Sequence, residues 1–271
     1  MTKIRLSEAE YRAHEGISKS ALFHIKESPE KFRYAMDNPE PPTPALLFGR
    51  MVHKLLLEPE TFEDEFAIAP CVDRRTKVGK EEWEAFMQLT PVNAQIVAAD
   101  DYAKAVEMVK AVEAAPFTDR LLAGDHELPL FWMDELTGEA CKARLDCLSD
   151  VGGKTVIVDY KTTADASTDA FMHQAVKHGY DLQAAMYSEA IKANGGEDPI
   201  FVFIAQEKTA PYAVNILQAD EVFVRRGYDL FRELIGTYHD CKVKDNWWGY
   251  LGPENVINNL ALPAWLAKEV E

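Results

Sequence analysis

Asp159 and Lys161 stand two residues apart in the stretch Thr155-Val156-Ile157-Val158-Asp159-Tyr160-Lys161-Thr162-Thr163. The β-branched run after a Gly152-Gly153 turn predicts a strand. On a strand, two-residue spacing sends both charged side chains to one face while Tyr160 points to the other. A carboxylate able to hold a metal, beside an ammonium able to hold a phosphate or a water, is equipment for hydrolysis. The pattern is short, and about one copy is expected by chance in a chain of this length. Its meaning therefore rests on what else converges on it.

Other residues could do so. On the preceding strand, over residues 139–148, alternation puts Cys141, Ala143, Leu145 and Cys147 on one face. Lys142, Arg144, Asp146 and Leu148 take the other, so Asp146 shares its face with Arg144. Glu127 opens the strand before that. Gln183 and Tyr187 lie four apart on a helix over residues 181–194 and so stack on one side of it. Arg50 and His53 lie on a helix over residues 45–58, in which Gly49 permits close approach of another backbone. By helical position alone, His53 reads as a core histidine. Ser18 and Ser20 are N-cap candidates for a short helix, and serine hydroxyls with free helix N–H groups can also receive a phosphate.

The elements that must position these residues read as follows. Ser28-Pro29 restarts a second short helix, and the proline-rich segment 38–44 is a linker. Residues 63–76 predict a short strand running into a basic loop over 74–80, the densest positive cluster in the chain. Helices are expected over 81–89 and 98–114. Three successive strands over 127–134, 139–148 and 155–163, joined by tight turns, predict an antiparallel meander. Helices follow over 165–178 and 181–194, then a continuously apolar strand over 199–206 and its partner over 211–217. A long amphipathic helix spans 219–238. The tail aromatics Trp247, Trp248, Tyr250 and Trp265, with Pro263, are expected to pack over the core rather than stack on bases.

Composition narrows the function. Of the 271 residues, 47% are hydrophobic and 27% charged, which is ordinary for a globular protein. The formal net charge of −16 argues against a nonspecific nucleic-acid coat, though a metal site with a local basic groove is compatible with it. Four scattered cysteines without a Cys-x-x-Cys pair argue against zinc or iron–sulfur binding and are expected to be reduced thiols. No stretch is long and apolar enough for a membrane span and the N-terminus is not a signal peptide, so cytoplasmic residence is expected. No phosphate-binding Gly-x-x-x-x-Gly-Lys-[Ser/Thr] loop is present, so the chain has no helicase motor.

In order, the chain carries Gly49-x-x-x-His53, Glu127, Asp146, Asp159-x-Lys161 and Gln183-x-x-x-Tyr187. In this succession it resembles the RecB-like branch of the PD-(D/E)XK nuclease superfamily. The stretches ISKSAL, FGRMVHKLLLEPE and WWGYLGPENVINNLALPAW are similar to those of RecE-type, phage-borne exonucleases. The resemblance covers nearly the whole chain. It implies one α/β exonuclease domain over 1–271: a mainly helical part over 1–120, then a nuclease core over 121–271 with a mixed central sheet flanked by helices. It implies that Asp146 and Asp159 are the main metal ligands, assisted by His53 and the backbone carbonyl of Tyr160. Mg²⁺ would be the ion, with Mn²⁺ able to substitute because an imidazole is a soft ligand for magnesium. Lys161 would position or deprotonate the attacking water. Glu127 would orient that water or serve a second metal site. Gln183 and Tyr187 would support the site or position DNA, and Ser18, Ser20, Arg50 and Arg144 would contact phosphate. The implied activity is resection of duplex DNA ends, 5′ to 3′, by a ring-like homo-oligomer working with a single-strand annealing protein of the RecT type. An endonuclease of the same superfamily and a catalytically silent partner-binding protein remain alternatives.

Overall fold

The computed structural model of the chain describes residues 6–262. Its contacts gather into two compact units: the chain up to Lys19 with Pro41–Phe231, and Ser20–Glu40 with the chain from Arg232 onward.

The described chain opens with α1 (Glu8–Ala13). A capping box starts this helix: Ser7 Oγ accepts from Glu10 N at 3.2 Å, and the Glu10 carboxylate accepts from Ser7 N at 2.8 Å. Then come α2 (Lys19–Ile25), α3 (Pro29–Asp37) and α4 (Pro44–Leu57). Thr43 caps α4 through Leu46 N, and Pro44 occupies its first turn. Next are α5 (Phe62–Glu65), β1 (Phe66–Ile68), α6 (Lys77–Leu89), β2 (Gln95–Val97), α7 (Ala99–Glu113) and α8 (Thr118–Leu121). The strands β3 (Asp125–Met133), β4 (Ala140–Asp150) and β5 (Thr155–Thr163) follow. The chain continues through α9 (Thr168–Lys177), α10 (Tyr180–Ala193), β6 (Ile200–Glu207), β7 (Val214–Gln218) and α11 (Glu221–Lys244).

The main sheet has the order β3-β4-β5-β6-β7. β3, β4 and β5 form the expected antiparallel meander. β6 lies parallel to β5, a pairing that requires a long crossover, here supplied by α9 and α10, and β7 returns antiparallel. This is a mixed α/β architecture. On one face Val156, Val158 and Tyr160 of β5 join Met51 and Val52 of α4 and Ala105, Met108 and Val112 of α7 in a single apolar core. Met51 and Met108 are fully buried, and truncating either to alanine would cost about 2–5 kcal/mol. Asp159 and Lys161 therefore take the opposite face, where α10 packs.

Besides α1 and α8, for which the sequence reading offers no element, three details differ from it. β1 and β2 form a separate parallel pair, too short for alternation to announce β2. The basic segment 74–80 is only half loop: Thr76 Oγ1 accepts from Gly79 N at 3.0 Å, so the helix starts at Lys77. The strand expected from 211 begins at Val214.

In the second unit Phe32 of α3 stacks on Trp247 with ring centroids 5.4 Å apart and meets Tyr238 edge-on at 5.5 Å. The Trp248 carbonyl accepts from Glu30 N at 3.1 Å. Trp247 thus packs within this unit as expected, whereas Tyr250 is 69% exposed. Pro263 and Trp265 lie outside the described residues.

Candidate active site

The β4–β5 ladder runs from Asp150↔Thr155 to Cys147↔Val158 and stops there. Asp146 and Asp159 are each the next residue, at the point where the two strands part. A short carboxylate side chain competes well with a strand carbonyl for a backbone donor. Here Asp146 Oδ2 accepts from Tyr160 N at 2.8 Å, in place of pairing between β4 and β5, while Tyr160 stays in register with Ile204 of β6.

His53 enters from α4. Its Nε2 lies 3.0 Å from Asp146 Oδ2, and its Nδ1 lies 3.3 Å from Glu127 Oε1. Glu127 reaches this position from β3 through a left-handed backbone, φ +50°, which costs a non-glycine residue about 1–3 kcal/mol. The neighbouring His126 pins that segment, with ring nitrogens 2.6 Å from the Leu57 carbonyl and 2.8 Å from that of Leu122. One ligand atom each from His53, Glu127 and Asp146 falls within 4.8 Å of the others.

Charge at this cluster is strongly coupled. Burial alone would push the His53 imidazole down, but Asp146 and Glu127 outweigh it and raise its pKa to about 9. Burial works to raise Asp146, yet the His53 charge and hydrogen bond hold it down at about 2. Glu127 is raised, first by burial and further by Asp146, against the pull of His53 and Arg144. The cluster thus holds an imidazolium between two acids. A cation already sits where an ion would, and the donors are one imidazole nitrogen and two carboxylate oxygens. That donor set fits a divalent ion, and its nitrogen suits Mn²⁺ better than Mg²⁺. His53, which helical periodicity assigns to the core, instead faces the acids.

Asp159, expected as a ligand, is not in this group. It is fully buried; Gln183 Nε2 donates to its Oδ1, and Lys161 forms an ion pair with its Oδ2. Burial, with Asp146 adding, lifts its pKa to about 6 against the opposing charges of Lys161 and His53. Burial would lower Lys161, but Asp159 and Asp146 raise it above its ordinary value. Lys161 is thereby held as a cation, suited to holding a phosphate or a water. Its Nζ lies 5.2 Å from the centre of the Tyr180 ring at the start of α10.

The remaining sequence candidates divide. Gln183 is buried, and its Nε2 donates to Asp159 Oδ1. Tyr187 is partly buried on the same helix face. Its hydroxyl is held protonated, first by burial and then by the charges of Asp159 and Asp146. The Tyr160 ring is buried, its hydroxyl donating to Gln206 Oε1 at 2.5 Å. Arg144 was expected on phosphate but is engaged by two acids: its Nε lies 2.7 Å from Glu127 Oε2, and a terminal nitrogen meets Glu8. Arg50, one helical turn before His53, has a side chain 33% exposed and lies 3.9 Å from Glu65. Ser18 precedes α2, and Ser20 lies in its first turn. Sequence reasoning missed Glu8, Lys19 and Tyr180. Lys19 Nζ donates to the His178 carbonyl at 2.6 Å and lies 5.5 Å from the same Tyr180 ring. Burial, with Lys161 nearby, lowers its pKa to about 8. Only the Ser7-x-x-Glu10 capping pattern signals the helix that carries Glu8.

A family profile described as "PDDEXK-like domain of unknown function (DUF3799)" matches residues 18–258. Among solved structures, a protein from Eubacterium rectale described as "Putative exonuclease" superposes with a TM-score of 0.65. It shares 16% identity over 98% of each chain, which bears on fold alone. A second structure, SSO0001, aligns over 69% of this chain and 85% of its own with 14% identity and a TM-score of 0.31, too low to argue from. A search of curated proteins finds no significant match.

Proposed function

Because the chain belongs to the PDDEXK-like family whose profile spans residues 18–258, we propose that it is a divalent-metal-dependent deoxyribonuclease acting on the ends of duplex DNA. The observation that carries this reading is the convergence of His53, Glu127 and Asp146 beside the Asp159-x-Lys161 strand. A divalent ion held by that trio would stabilise charge on the phosphorus and make water a better nucleophile. The chain's own residues supply the rest. Lys161 offers a fixed ammonium to a non-bridging phosphate oxygen, where negative charge grows as water attacks. Asp159 and Gln183 hold that ammonium in place. Asp146 and Glu127, with His53, would hold such an ion, and their charge would favour its binding.

The finer reading is exonucleolytic, 5′ to 3′, with Mg²⁺ or Mn²⁺, in recombination. It is supported by the succession of motifs Gly49-x-x-x-His53, Glu127, Asp146, Asp159-x-Lys161 and Gln183-x-x-x-Tyr187. The resemblance of the sequence to RecE-type exonucleases supports a homo-oligomer and an annealing partner of the RecT type. Linear duplexes labelled at one end or the other, and a closed circle, incubated with Mn²⁺ and then with chelator, test it. Release of label from 5′ ends, an intact circle and full loss of activity on chelation support the reading. Cleavage of the circle points to an endonuclease. No cleavage by the wild-type chain, or cleavage unchanged in Asp146→Asn, overturns it.

A further inference from the structure

Glu8 lies outside every motif that suggests a nuclease, yet it is tied directly to the candidate metal cluster. Arg144 stands between them: its Nε lies 2.7 Å from Glu127 Oε2, and a terminal guanidinium nitrogen is paired with Glu8. Because Arg144 takes only Oε2, the other oxygen of Glu127 is left facing His53 Nδ1 at 3.3 Å. We propose that Glu8 is a positioning residue of the metal centre, which occupies the second arm of Arg144 and so keeps Glu127 Oε1 available to the ion.

The argument is geometric. A guanidinium presents a planar fork of donors that matches a carboxylate two-on-two. With Glu8 absent, the freed arm of Arg144 can swing onto Glu127 and take both of its oxygens. The ion would then lose one of its two carboxylates and face a guanidinium no longer neutralised by a second acid. Both consequences lower affinity for a cation.

Glu8 itself is held with care. Its helix α1 is anchored at the C-terminal end by Lys142, whose Nζ donates to the carbonyls of Tyr11 at 3.2 Å, Arg12 at 3.0 Å and His14 at 2.6 Å. The Tyr11 ring lies under Arg144, 5.2 Å from centroid to guanidinium carbon. The side chains of Glu8 and Arg144 are 24% and 27% exposed, so the pair is only partly screened by water. Arg144, read from the sequence as a phosphate contact, becomes in this arrangement the bridge from α1 to the cluster.

This inference rests on the metal-centre reading, and the experiment separates the two. Mn²⁺ binding to the full purified chain is followed by the electron paramagnetic resonance signal of free Mn²⁺, with His53→Ala setting the background of weak acidic sites. Supporting partners around a metal site are worth 10- to 100-fold in affinity. Glu8→Ala should weaken the His53-dependent site about tenfold, and Glu8→Gln, which keeps an acceptor without the charge, by less. In an Arg144→Met background, Glu8→Ala should change affinity by less than about twofold, because the arm it restrains is gone. An undiminished Glu8→Ala site, or an equal loss in the Arg144→Met background, overturns the role of Glu8 while leaving the metal centre standing. Absence of any His53-dependent Mn²⁺ binding by the wild-type chain overturns both.

Discussion

An imidazolium at the heart of a metal cluster must give up its proton before an ion can use the ring. His53 holds that proton with a pKa of about 9 because Asp146 and Glu127 lie 3.0 and 3.3 Å from its two nitrogens. At pH 7 nearly every metal-free molecule carries it, so binding one ion should release about one proton from this residue. Apparent affinity should then climb about tenfold per pH unit, roughly a hundredfold between pH 6.5 and 8.5, and flatten above about pH 9. Calorimetric titration with Mn²⁺ in PIPES and in Tris, which differ in ionisation enthalpy, counts the released protons directly. The same shift has a stability arm. A histidine pKa raised from 6.5 to about 9 on folding stabilises the native state fully below pH 6.5, and that contribution is lost as pH rises through about 9. The ceiling on this contribution is on the order of 3 kcal/mol. The metal-free chain should therefore unfold at lower temperature at pH 9.5 than at pH 7, as far as this group is concerned, and His53→Ala should flatten the difference. An affinity that does not change between pH 6.5 and 8.5, with no proton released, would refute the charge state assigned to the cluster.

Other perturbations separate the parts of the site. Lys161→Met removes the ammonium that faces phosphate, so cleavage should drop about 100- to 1000-fold while Mn²⁺ affinity stays within about threefold, measured on the same preparation. Asp146→Asn should abolish both, since Asp146 serves the cluster directly; retained Mn²⁺ binding would show that the ion sits elsewhere. Gln183→Leu strips a donor from the buried carboxylate of Asp159 and should cost about 1–3 kcal/mol in urea unfolding at pH 8. Because the Asp159 pKa lies near 6, that cost should shrink at pH 5, where the carboxyl is largely protonated. Lys142→Met leaves three carbonyls at the end of α1 without their cation, and hydrogen exchange of amides 8–14 should accelerate more than tenfold while β4 and β5 stay protected.

The parts of the site that lie on strands were legible because strand alternation is strict. Asp159 and Lys161 had to share a face, as did Arg144 and Asp146, and they do. What alternation does not encode is where a ladder ends. The stop at Cys147↔Val158 turns Asp146 toward His53 and leaves Asp159 behind it, buried against α10. Two acids that read as equivalent ligands thereby meet different partners, Asp146 the His53 ring and Asp159 the side chains of Gln183 and Lys161. His53 was ambiguous for the opposite reason: helical periodicity identifies which side of α4 faces the sheet, but not that the sheet is split there. Glu127 depended on a left-handed backbone that no residue type announces, since glutamate is not a residue that favours it. Glu8 pairs locally with Arg12, but Arg144 lies more than a hundred residues away and no local pattern could join the two.

These particulars bear on how so acidic a chain could handle DNA. At −16 overall, it should repel a polyanion at long range. Within the site the signs are sorted: Glu127 and Asp146 gather on the His53 side of the fork, while Lys161 and Lys19 approach the Tyr180 ring within 5.5 Å. An ion on the acid side would change the balance more than any single side chain, converting a cluster that repels phosphate into one that attracts it. Under the proposed nuclease reading, metal would bind first and DNA second, with the lysines contributing once the phosphate has been drawn in. On this view the acidity is no argument against a nuclease. It makes DNA binding conditional on the ion, so a duplex should associate with the chain far more tightly in Ca²⁺, which occupies such sites without supporting rapid hydrolysis, than in chelator. Equal binding in the two would mean that DNA is held by a surface unrelated to this cluster.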